Sequence, residues 1–124
     1  MPSTSRPEVL SVDGVTVVAF GPAFARIDES LIPLIGETFT QVVAQKRRPV
    51  VVDLSNTKFF GSSFIELLFR LWNRAKDDKG HGFALAGIDD YCQEILSVTN
   101  LQRLWPIFKT RSQAVDSLKS SASG

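Results

Sequence analysis

The chain has 124 residues, 44% hydrophobic and 22% charged, the size and composition of a single globular domain. Its 14 basic and 13 acidic residues leave a net charge of +1, without the basic excess expected of a nucleic-acid-binding protein. The single cysteine, Cys92, excludes an internal disulfide, and no apolar run approaches the roughly 20 residues that span a bilayer. The expected location is therefore the cytosol.

Residues 1–7 and 119–124 are small and polar and read as disordered tails around one domain over 8–118. Val9 to Val12 and Val15 to Phe20 are β-branched runs separated by Asp13-Gly14, the signal of a tight hairpin. Gly21-Pro22 ends the second strand. A helix starts between Asp28 and Pro33, with Leu31, Leu34, Ile35, Phe39, Val42 and Val43 at spacings of three and four. Lys46-Arg47-Arg48 closes it, where cations complement the helix dipole.

Pro49 stops that helix, and Val50 to Leu54 reads as a central strand covered on both faces. The next helix is expected from about Phe64 to Lys76, with Phe64, Ile65, Leu67, Leu68, Leu71, Trp72 and Ala75 on its apolar side and Glu66, Arg70, Asn73 and Arg74 on its wet side. Lys79-Gly80-His81-Gly82 is a turn, and Phe83 to Ala86 a short strand ended by Gly87. Asp89 or Asp90 caps a helix reaching Val98, with Asn100 at a left-handed exit. Leu104 to Phe108 is a last strand, and Thr110 with Gln113 forms a capping box opening a final helix. The order β-β-α-β-α-β-α-β-α predicts an α/β fold, a mixed sheet of four or five strands with an N-terminal hairpin and about four covering helices.

Catalytic chemistry is sparse. The one histidine, His81, sits in a turn with no partner in view, so neither a His/Cys metal site nor a Ser-His-Asp triad is indicated. No glycine-rich phosphate loop is present. The expectation is no enzyme activity, no metal and no cofactor. Asp53, at the end of the central strand, has the look of a receiver-type phosphoacceptor, with Lys109 after the last strand. However, the turn Ala19 to Ala23 carries no carboxylate to help hold magnesium. The remaining feature is Ser62-Ser63 at the start of the second helix. Ser63 and Glu66 have capping-box spacing, and a hydroxyl at a helix start is also presented to partners.

The run Val50 to Ser55, the Ser62-Ser63 pair, the strand exit Ala84-Leu85-Ala86-Gly87-Ile88 and the segment Thr99-Asn100-Leu101-Gln102-Arg103-Leu104-Trp105-Pro106-Ile107 together resemble the STAS domain (sulfate transporter and anti-sigma factor antagonist). The resemblance covers about residues 8–118, and no transporter segment accompanies it. The class implied is the stand-alone bacterial anti-sigma factor antagonist. In that family a motif like Asp-Ser-Ser-Gly-Leu-Gly opens the second helix, and its second serine is phosphorylated by a partner kinase that is also the anti-sigma factor. The resemblance puts that serine on Ser63. Gly61 stands at the aspartate position, Phe64 at the first glycine and Glu66 at the second.

Three functions follow as expectations. The first is a transcription-regulating switch that binds an anti-sigma factor/serine kinase until Ser63 is phosphorylated, with Phe60, Gly61, Ser62, Ser63, Phe64 and Glu66 as the contact surface and Phe64 partly exposed. The second is a non-phosphorylated adaptor in a stress-signalling or transport assembly, docking constitutively through Phe60, Phe64 and their loop. The third is a receiver-like or small-ligand-binding domain. The sequence leaves the partner's identity and the oligomeric state open.

Overall fold

The computed structural model describes residues 6–45, 49–76 and 82–123. Strands β1 (Glu8–Val12) and β2 (Val15–Ala19) form the hairpin. Asp13 and Gly14 between them have φ of 52° and 82°, the left-handed pair a two-residue turn requires. A 3-10 turn and the two-residue strand β3 (Arg26–Ile27) follow. Asp28 then caps a second 3-10 turn, its carboxylate accepting the Ser30 N–H at 3.0 Å, and this turn leads into helix α1 (Ile32–Ala44).

Strand β4 (Val50–Asp53), the two-residue strand β5 (Phe59–Phe60) and helix α2 (Ser62–Ala75) form the middle of the chain. Strand β6 (Phe83–Ala86), helix α3 (Asp90–Val98), strand β7 (Ile107–Phe108) and helix α4 (Arg111–Ser123) complete it. The main sheet has the order β1-β2-β4-β6-β7, antiparallel at the hairpin and parallel elsewhere, with β4 in the centre. This is the expected mixed architecture.

Strand periodicity divides the core in two. Val18, Val50, Val52, Phe83 and Leu85 face the layer of α1, α2 and α3, where Ile35, Phe39, Leu68, Leu71 and Leu96 pack. Val17, Ala19, Val51, Ala84 and Ala86 face α4 through Ala114, Val115 and Leu118. The β6 side chains facing the three-helix layer are large and those facing α4 are small, so one helix suffices on the second face.

Two expectations are corrected. Helix α2 begins at Ser62 rather than Phe64. The last strand is only Ile107–Phe108, because Leu101–Arg103 forms a 3-10 turn and Trp105 drops into the core beside Phe83. Arg6 pairs with Glu37 at 3.1 Å, Pro7 is buried, and α4 runs to Ser123; at its start Thr110 Oγ1 accepts the Gln113 N–H at 3.1 Å while Gln113 Oε1 accepts the Lys109 N–H at 3.2 Å. Finally, β3 and β5 pair in a second, parallel sheet too short to show a period in the sequence. Lys46-Arg47-Arg48 and His81 lie outside the described residues.

Candidate partner-binding site

The serine pair is held by a loop fixed at both ends. Where β4 ends, the Asp53 carboxylate accepts the Ser55 N–H at 3.0 Å and its hydroxyl at 2.5 Å, while its other oxygen takes Arg111 Nε at 2.7 Å. Asn56 donates to the Phe20 carbonyl at 3.1 Å, and Thr57 Oγ1 to that of Phe24 at 3.0 Å. The Lys58 and Phe59 N–H groups both reach the Ala25 carbonyl, at 2.7 and 3.2 Å. The chain then runs through β5 into α2.

Gly61 is the N-cap of α2, extended at φ −107° and ψ −173°, with no side-chain cap. Its carbonyl accepts the N–H groups of Phe64 and Ile65 at 3.2 and 3.3 Å. Among the described residues, the N–H groups of Ser62 and Ser63 have no partner within the chain. Ser62 is exposed and Ser63 half-buried. The first turn thus offers two hydroxyls and two free donors at the positive end of a 14-residue helix.

The expected capping box at Ser63 and Glu66 does not form. A capping side chain must sit ahead of the helix in extended backbone, and Ser63 is already the second helical residue. Glu66 instead pairs with Arg70 one turn on, at 2.9 Å. Phe60 and Phe64, expected to meet a partner, are buried at 1% and 0% exposure. Phe64 lies 5.2 Å from Phe60 and 5.6 Å from Phe20, ring centre to ring centre, in the three-helix core. The helix turns this position under the sheet rather than outward. Sequence spacing contained the signal, since Phe64, Leu68, Leu71 and Ala75 form one buried stripe.

The aromatic surface beside the serines comes from residues the sequence reading passed over. Phe59 is half-buried, with the Arg26 guanidinium carbon 4.5 Å from its ring centre and Tyr91 stacked at 6.1 Å. The paired strands β3 and β5 bring Arg26 opposite Phe59.

Asp53 is engaged by Arg111 and Ser55 and does not stand open as a receiver's acceptor would. Among the described residues, no group of three or more His, Cys, Asp or Glu side chains could hold a metal ion. Cys92 is buried in the first turn of α3, and desolvation, with Asp89 beside it, pushes its thiol up to about 12.

Residues 6–114 match the STAS domain. The chain belongs to the STAS domain family. It shares 38% identity with an anti-sigma-factor antagonist (STAS) domain protein from Planctomyces limnophilus, over 93% of this chain and 98% of that one, with a TM-score of 0.83. An anti-sigma factor antagonist from Mycobacterium paratuberculosis shares 26% identity over 91% and 92% of the two chains, with a TM-score of 0.78. The phosphorylated form of the Bacillus cell-fate determinant SpoIIAA shares the fold at 13% identity and a TM-score of 0.65, over 89% and 96% of the two chains. No curated protein sequence matches. Membership of this family replaces the receiver reading of Asp53. No helix among the described residues of this STAS domain is long and apolar enough to cross a membrane.

Proposed function

We propose that this STAS domain is an anti-sigma factor antagonist that binds an anti-sigma factor with serine kinase activity through the start of α2, and that phosphorylation of Ser63 ends the binding. The observation that carries this reading is the free first turn of α2: two serines without side-chain caps, on a loop tied at both ends. A phosphate there adds about −1.5 to −2 charge. In the free protein the helix end and solvent accommodate that charge. In a closed interface it must be desolvated, which is costly unless the partner supplies cations. Glu66, the family departure that most opposes a phosphate, is drawn away by Arg70. Gly61 leaves the cap without a carboxylate, and Phe64 packs inward, so neither blocks the approach.

The test is mass spectrometry after incubation with purified anti-sigma serine kinases of the source genome. Phosphate is expected on Ser63, abolished by Ser63→Ala and retained in Ser62→Ala. Because Ser63 caps nothing, Ser63→Ala is expected to shift stability by less than about 0.5 kcal/mol, so lost labelling cannot be blamed on unfolding. Phosphate on Ser62 alone would refute the assignment. A stable complex without phosphate at either serine would make the chain a constitutive adaptor.

A further inference from the structure

The large apolar side chains exposed among the described residues are Phe69, Tyr91, Val98 and Leu104. Two of them are aromatic rings held by neighbouring rings: Phe69, 37% exposed, packs on Trp72 and Trp105 at 5.3 and 6.2 Å, and Tyr91, 53% exposed, stacks on Phe59 at 6.1 Å with 23° between the planes. Tyr91 is the more exposed of the two, and its partner Phe59 lies three residues before Ser62 in the chain. Phe59 is in turn covered by the Arg26 guanidinium at 4.5 Å. We infer that Tyr91, stacked on Phe59, is the anchor by which this domain grips the protein partner that reads its serines. The inference rests on the serine-site reading above.

Three arguments support it. First, the stack is continuous with the serine turn: Phe59 is three residues before Ser62, so their Cα atoms are at most about 11 Å apart. Second, its composition suits an interface centre. Tyrosine and arginine are over-represented among residues that dominate binding energy. Exposed charges of both signs, Lys58 and Asp90, neighbour Phe59 and Tyr91 in the chain. Third, the ring is pre-ordered. A side chain already stacked loses less rotational freedom on binding than a free one. The partner implied is a folded protein with an apolar socket for a phenol ring, adjoining the surface that meets Ser62 and Ser63. The aromatic contact expected of Phe60 and Phe64 passes to Phe59 and Tyr91, which the fold leaves outside.

Val98 provides the control. It is 79% exposed on the same helix, seven residues and about 10.5 Å further along. Titration calorimetry with each purified anti-sigma serine kinase of the source genome compares wild type, Tyr91→Ala, Tyr91→Phe, Val98→Ala and Ser63→Asp. Tyr91→Ala should weaken binding at least about tenfold, Tyr91→Phe by less than about threefold, and Val98→Ala not measurably. Melting curves check that Tyr91→Ala stays folded. If wild type binds a kinase and Tyr91→Ala binds it equally well, the anchor is wrong and the serine-site reading stands. If Tyr91→Ala is weakened but Ser63→Asp binds like wild type, the anchor stands and the switch falls. If wild type binds none of the kinases, both fall.

Discussion

Phe64 stands where the family motif has a glycine, and its inward orientation makes Phe64→Ala a sharp test of how this first helical turn is built. The ring is fully buried and lies among Phe20, Phe39 and Phe60, with centre-to-centre distances of 5.6, 6.5 and 5.2 Å. Removing such a ring forfeits its transfer energy and leaves a cavity, about 3–5 kcal/mol together. Unfolding entropy near 2.1 cal/mol/K per residue gives about 0.26 kcal/mol/K for a chain of this length, so the melting temperature should fall by about 12–19 °C. Phe64→Leu, which keeps most of the volume, should lose less than half of that. Thermal melts followed by far-ultraviolet circular dichroism, with urea titrations for the free energy, measure both. A side chain exposed to a partner would cost under about 0.5 kcal/mol. A fall of less than about 4 °C for Phe64→Ala would therefore refute the inward orientation and return Phe64 to the contact surface.

Two further outcomes test the surroundings of the site. Asp53→Asn removes the charge that Arg111 meets at 2.7 Å, at a carboxylate side chain only 8% exposed. The expected loss is about 2 kcal/mol, below that of a fully buried pair because Arg111 keeps 39% exposure. A double-mutant cycle with Arg111→Gln should show coupling, and additive single losses would contradict the pairing. Cys92 should resist alkylation near pH 8 in the folded protein and react on unfolding, because burial holds its thiol up to about 12. The sign for stability follows. Between the ordinary value of 9.0 and about 12, the unfolded chain sheds this proton and the folded one keeps it. Cys92 therefore makes stability fall as pH rises through that window, and Cys92→Ser should flatten the fall. Fast alkylation of the native protein would overturn the burial of the thiol.

Local patterns in the sequence determined most of the architecture, because the forces that set them are local. Asp13-Gly14 dictates its turn through the left-handed backbone both residues must adopt, and Asn100, at φ 62°, marks the exit of α3 for the same reason. Val50-Val51-Val52, apolar on both faces, can only be a central strand, and Asp89 caps the helix it precedes. The serine pair and the family it belongs to were also legible, since the motif is contiguous in the chain. Tertiary structure decided what depends on residues far apart. Arg111 reaches Asp53 across 58 residues, and Arg26 meets Phe59 only because β3 and β5 pair. No periodicity reports such contacts. The start of α2 was settled by the Gly61 carbonyl and the tied loop before it, which place Ser63 inside the helix and make it no cap. The helix therefore starts two residues ahead of the expected Phe64. Which aromatics face water was decided by how β5, α2 and α3 pack against the sheet. Phe60 and Phe64 turn into the core, while Phe59 and Tyr91 remain at the surface where a partner can reach them.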